Sequence, residues 1–208
     1  MRFVLLAEGD LERKALPQFF KRWLDPRLSR SIRIDAYQIQ GMGELIHGLP
    51  RRSSKHLNDP RRDVIGVVGL FDLHEAALEF PAGVAKPSDR AAWAKQHMEA
   101  TVNDSRFCQF VAVHETEAWL LSEPRIFPRE IARELQKQSV RPEEVNHSEP
   151  PGDLLKRLYR DKLNRRYKKV EDGLELFGKV DPTVAYVKCP HLKAMLDEML
   201  RLAREAGL

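Results

Sequence analysis

Residues 63 to 71 (DVIGVVGLF) form an almost unbroken apolar, β-branched run, a pattern suited to a strand covered on both faces. Three further runs read as strands: residues 2 to 7 (RFVLLA), residues 32 to 39 (IRIDAYQI), which alternate as if one face were wetter, and residues 106 to 113 (RFCQFVAV). Between them lie stretches with apolar positions at helical spacing. These cover residues 11 to 24, a weaker stretch through Leu57, and one capped by Ser88 or Asp89 that runs to about Asn103. Alternating strands and helices predict parallel pairing through right-handed crossovers, hence an α/β fold with a Rossmann-like parallel sheet. Pro17 predicts a kink or a late start in the first helix, and Pro50 a split in the second.

After Trp119 the strand signal fades. Short helices separated by proline are expected over roughly 128 to 138, 150 to 162, 170 to 178 and 190 to 206. The expected organisation is an α/β core over 1–123 and a helical C-terminal subdomain over 124–208 packed on it, with no internal repeat or low-complexity tract. A chain of 208 residues, 42% apolar, suits one compact core. No segment approaches the roughly 18 uninterrupted apolar residues of a membrane span. The N-terminus enters a strand pattern instead of a charged and then apolar leader, so a cytoplasmic protein without membrane association is expected. The two cysteines, Cys108 and Cys189, lack a CxxC partner, which argues against a disulfide framework or zinc ribbon and predicts buried thiols.

Three of the apolar runs end in acids. Glu8 and Glu12 follow the first, Asp72 and Glu75 the third, and Glu115 and Glu117 the fourth. The carboxyl ends of parallel strands lie along one crevice, so acids distant in sequence can converge there and hold a hard divalent cation. Glu8, before Gly9 at a tight turn, is the first catalytic candidate; as a bland alternative it complements the dipole of the following helix. Glu12 reads as more structural than Glu8. Asp72 closes the most buried strand, where a charge needs a cation or donors, or else caps the next turn. His74 and Glu75 follow within reach of the same crevice. His114 has an unperturbed pKa near physiological pH and suits a proton donor or phosphate-orienting role, although lone histidines are more often merely hydrogen-bonded. His114-Glu115-Thr116-Glu117 lacks the second histidine of an HExxH box, which argues against a zinc protease.

The formal charge of +4 permits an anionic partner, and the distribution of that charge says more than its total. Lys156 to Lys169 (KRLYRDKLNRRYKK) holds Lys156, Arg157, Arg160, Arg165, Arg166, Lys168 and Lys169, too many cations to be matched by Asp161 through i,i+4 pairing. With Tyr159 and Tyr167 interleaved, the stretch reads equally as a nucleic-acid surface or as a solvated helix with Leu154, Leu155, Leu158 and Leu163 facing the core. Arg51, Arg52, Lys55, Arg61 and Arg62 are expected to add to the same field. No GxxxxGK[ST], GxGxxG or GxSxG loop is present, so energy from ATP would come from another chain.

In order and spacing the chain resembles a bacterial family of unassigned function with a TOPRIM-like core. Its EGxTE box corresponds to Glu8-Gly9-Asp10-Leu11-Glu12, its acidic box to Phe71-Asp72-Leu73-His74-Glu75, and its HExEA box to His114-Glu115-Thr116-Glu117-Ala118-Trp119. Pro142-Glu143-Glu144-Val145-Asn146, the helix from Pro151 to Leu158, and Cys189-Pro190-His191 follow. The resemblance implies a Mg²⁺- or Mn²⁺-dependent site for phosphodiester chemistry. Glu8 would be the general acid or base and Asp72 a metal ligand. An ATPase partner and a role in defence against foreign DNA are implied as well. Leu11 stands where the box has threonine, and His74 stands at the second aspartate of the usual DxD pair; either Glu75, Glu115 or Glu117 replaces it or a two-metal mechanism is lost. The expected function is a metal-dependent nuclease. The alternatives are a noncatalytic module that binds nucleic acid or an ATPase partner, and a phosphatase or nucleotidyl transferase acting on a small substrate.

Overall fold

The computed structural model describes residues 1–39, 42–72, 80–84, 86–112, 115–137, 142–144 and 149–208, with 42–47, 87, 88 and 144 described through their backbone alone. All four expected strands form: β1 (Arg2–Ala7), β2 (Arg33–Gln38), β3 (Val64–Asp72) and β4 (Phe107–Ala112). They pair in parallel in the order β2-β1-β3-β4. The helices α1 (Asp10–Leu24), α2 (Met42–Leu57) and α3 (Pro87–Val102) connect them. β3 is buried along nearly its whole length, as its continuous apolar run requires, whereas β2 at the edge is half wet.

Side-chain alternation divides the core. Phe3, Leu5, Ala7, Val68, Leu70, Phe110 and Ala112 face one layer of helices. Val4, Leu6, Val67, Phe71 and Val111 face the other, where Leu49 and Leu57 of α2 meet Ala91, Ala94 and Met98 of α3. This placement of α1 on one face and α2 and α3 on the opposite face is what right-handed crossovers running in opposite directions require.

The C-terminal helices complete the layer begun by α1. They are α4 (Glu117–Leu120), α5 (Arg129–Lys137), α6 (Pro151–Leu163), α7 (Lys169–Lys179), α8 (Pro182–Lys188) and α9 (Pro190–Glu205). Trp119 of α4 stacks on Phe19 of α1, with centroids 6.3 Å apart and planes at 13°, and Phe19 meets Phe177 of α7 edge-on at 5.4 Å. Both cysteines are buried free thiols; burial pushes Cys108 up to about 12. No helix among the described residues is long and apolar enough to cross a membrane.

Two local expectations need correction, and one helix is additional. Pro50 does not split α2, and Pro17 lies inside a continuous α1. Each proline forfeits one hydrogen bond, and the apolar residues buried on the faces of both helices offset that loss. α8 was not expected. Its signal is Asp181-Pro182-Thr183, where the Asp181 carboxylate accepts the Thr183 N–H at 2.7 Å and proline fills the first helical position.

Candidate functional site

β1 sends its connection to β2 on one side, and β3 sends its connection to β4 on the other. The carboxyl ends of these two adjacent strands therefore flank the topological switch point of the sheet, where the diverging connections open a crevice. Glu8 leaves β1 there and Asp72 ends β3 there. The first turn of α1 brings Glu12, the entry to α4 brings Glu115 and Glu117, and the first residue of α7 brings Lys169.

Glu12 is buried. Its Oε1 accepts the Thr116 hydroxyl at 2.7 Å, and its Oε2 receives no hydrogen bond among the described residues. A Cβ on Gly9 would lie 1.8 Å from that Oε2. Gly9 has φ −95° and ψ 157°, an ordinary extended conformation, so glycine is needed here for the close approach of a carboxylate and not for a special turn. Glu117 is fully buried, and neither of its carboxylate oxygens receives a hydrogen bond among the described residues. Glu115 accepts the Gly152 N–H at the start of α6 at 2.5 Å.

Lys169 stands between these acids, with Nζ 3.5 Å from Glu117 Oε2 and 3.9 Å from Glu115 Oε1. Burial works to lower its pKa, but Glu117, Asp72, Glu12 and Glu115 together outweigh burial and hold the ammonium charged above the ordinary lysine range. One cation does not neutralise the acids. Burial and then Glu12 push Asp72 well above the usual carboxylate range, against Lys169 and with additions from Glu117 and Glu115. Burial lifts Glu117 to about 7, again against Lys169. The Tyr167 hydroxyl is also buried without a hydrogen bond among the described residues, and burial followed by Glu117 raises its pKa.

The structure thus gathers Asp72, Glu115 and Glu117, adds Glu12, which the sequence suggested was structural, and brings in Lys169. His74, Glu75 and His114 lie outside the described residues. Among the described residues no three His, Cys, Asp or Glu side chains are grouped so as to hold a metal ion. In kind the donors fit a hard divalent cation, because the buried oxygens of Glu117 and Glu12 lack partners. At the centre of the set, however, stands the Lys169 ammonium.

The basic stretch keeps the inward apolar face of the solvated-helix reading, with Leu154, Leu155 and Leu158 buried. It is not one helix: α6 ends at Asn164 in a left-handed conformation, and α7 starts at Lys169. Tyr159 and Tyr167 are buried and meet each other edge-on at 5.1 Å, so neither offers a face to a base. Nearby acids neutralise most of the cations. Lys156 pairs with Asp153, Arg157 with Glu149, Arg160 with Asp161, Arg165 with Asp172 through two bonds of 2.9 Å, and Lys168 with Glu171. Partners at spacings other than i,i+4, several of them outside the stretch, were what the count against Asp161 overlooked. Lys156 also feels Glu115 and Lys169, which places it at the rim of the crevice. Arg61 and Arg62 precede β3, at the amino ends of the strands, about 25–30 Å from the crevice along a nine-residue strand, and cannot share its field.

The fold and the crevice define a doubly wound α/β protein whose switch point carries buried carboxylates and one lysine. The chain belongs to the family described as Domain of unknown function (DUF4276), whose model matches residues 7–200 and so spans every residue of the crevice. No curated protein and no solved structure matches the chain.

Proposed function

We propose that the crevice is a TOPRIM-like, Mg²⁺- or Mn²⁺-dependent site that cleaves phosphodiester bonds in nucleic acid, working with an ATPase partner in defence against foreign DNA. The observation that carries the metal reading is the convergence of Glu12, Asp72, Glu115 and Glu117 at the switch point, with three buried carboxylate oxygens lacking hydrogen bonds among the described residues. The nucleic-acid substrate, the ATPase partner and the defence role rest on the motif resemblance.

Glu12, Asp72 and Glu117 would have to draw together to hold the cation, which when bound supplies charge to a phosphate oxygen and acidifies water. Glu8, half-buried at the crevice edge after β1, would take or give a proton. Thr116 orients the Glu12 carboxylate, and Gly152 orients that of Glu115. Lys156, whose solvent-exposed pair with Asp153 a phosphate can replace, and Arg166 would supply positive charge for the strand from the surface of the α6–α7 region. The test is Mn²⁺-dependent cleavage of labelled single- and double-stranded DNA and RNA. Wild type is expected to cleave at least one of these, and Asp72→Ala, folded by circular dichroism, to cleave none. Equal cleavage by both would remove Asp72 from the chemistry.

One observation favours a second reading, a noncatalytic module that binds nucleic acid or an ATPase partner: the Lys169 ammonium already provides the acids with a cation. That reading predicts salt-sensitive binding that persists in a chelator and survives Asp72→Ala.

A further inference from the structure

Lysine at the first position of a helix is opposed by the helix dipole, and Lys169 begins α7. Its position therefore has to be favoured by what its ammonium meets, and that is the crevice. The contacts themselves are loose. At 3.5 and 3.9 Å the ammonium is held to Glu117 and Glu115 by charge and not by short hydrogen bonds. The Lys169 side chain retains 38% of its exposure, whereas that of Glu117 has none, so the lysine has a route to solvent that its partner lacks.

A single ammonium also leaves much of the site unsatisfied. Both Glu117 oxygens and Glu12 Oε2 are buried without hydrogen bonds among the described residues. Magnesium takes oxygen ligands at about 2.0–2.1 Å, well inside the distances seen to Lys169 Nζ, so the carboxylates would have to close on a smaller and more highly charged ion. Two cations cannot share one carboxylate cage at such separations without strong repulsion.

We infer that Lys169 is the resident counter-cation of the crevice and that a divalent cation enters by displacing its ammonium toward solvent. The inference rests on the divalent-cation reading above and adds its regulation. The chain carries its own competitor for the metal, an ammonium that lies against Glu117 and Glu115 until a more strongly bound ion arrives. Affinity for metal is lowered by the same interaction that holds the metal-free crevice together.

Two measurements decide it. In the first, wild-type protein is treated with an amine-acylating reagent with and without saturating Mn²⁺, and modification of Lys169 is followed by mass spectrometry against the other lysines. The expected result is a several-fold rise at Lys169 with Mn²⁺. In the second, free Mn²⁺ is measured by electron paramagnetic resonance in titrations of wild type and Lys169→Gln, and the variant is expected to bind about tenfold more tightly or better. Binding by Lys169→Gln alone would overturn displacement, because the ammonium would then exclude the ion from the wild-type crevice instead of yielding to it. Where wild type binds Mn²⁺ but Lys169 labelling stays constant or falls, the inference is overturned and the metal reading stands. Where neither protein binds Mn²⁺, both fail. Should Lys169→Gln not fold, labelling of the wild type decides.

Discussion

Trp119 donates its indole N–H to Glu143 at 3.1 Å, and the same carboxylate accepts the His191 and Leu192 N–H groups at 2.7 and 3.2 Å. One buried acid thereby caps α9 and anchors α4 two residues beyond Glu117. Glu143→Ala is expected to leave three donors, two of them buried, without a partner and to destabilise the fold by about 2–4 kcal/mol in urea unfolding followed by tryptophan fluorescence. Glu143→Gln, which keeps an acceptor oxygen, is expected to lose less. Equal stability of Glu143→Ala and wild type would show that this anchor contributes nothing.

Stability between pH 4.5 and 7 carries the imprint of Glu117. Its pKa of about 7 in the folded protein exceeds the ordinary 4.5, so over this window the folded state holds a proton that the unfolded chain has released. The contribution is full below pH 4.5 and is lost as pH rises through 7, amounting to about 3 kcal/mol at most. Asp72 acts in the same direction, and His56, whose pKa is lowered by burial and then by Arg2, acts in the opposite one. Comparing urea unfolding of wild type with Glu117→Gln from pH 5 to 8 isolates the term. The variant is expected to show a flatter loss of stability with rising pH, and identical slopes would mean that Glu117 titrates normally.

Gly9→Ala tests the closeness of the Glu12 carboxylate. The backbone at residue 9 accepts alanine, but the new Cβ collides with Glu12 Oε2 and pushes the carboxylate away from Thr116. The protein is expected to fold while its Mn²⁺ affinity drops by roughly fifty- to a hundredfold, what displacing one half-charged ligand oxygen by an ångström produces at an effective dielectric near 20. Unchanged affinity would place Glu12 outside the cation site.

Among the exposed cations, Arg160, whose solvent-exposed pair with Asp161 a phosphate can replace, and Arg166 are expected to contribute to nucleic-acid affinity through phosphate contacts. Replacing both with alanine should weaken binding of single-stranded DNA and reduce its logarithmic salt slope by about 1–2. Tyr167→Phe should leave binding unchanged because the ring is buried against Tyr159. A loss on Tyr167→Phe would mean that nucleic acid reaches the buried hydroxyl.

The four strands were legible because each is a short apolar run bounded by turn residues, and the parallel class followed from the helices between them. The acids of the crevice were legible for the same reason, since the end of a strand predicts where its next side chain lies. Lys169 was not. Within a run of cations it read as surface charge, and only the packing of α7 against α1 turns it toward Glu117. Glu12 was underrated because one turn into a helix an acid is ordinarily a dipole partner, whereas here the carboxylate folds back over Gly9 to meet Thr116. The tyrosines misled because alternation with arginine is shared by base-stacking surfaces and by helices whose aromatic rings face inward. The Glu143 anchor joins residues far apart in the chain, a pairing that no local spacing reveals.

The central claim is that the switch-point acids form one divalent-cation site. The most direct measurement is a calorimetric titration of Mn²⁺ into wild type, Asp72→Asn and Glu117→Gln, each checked for folding. The account predicts saturable binding by wild type that weakens by about tenfold or more in both variants, since each loses a charged ligand oxygen near the ion. Equal binding by all three, or none by wild type at millimolar metal, would contradict it.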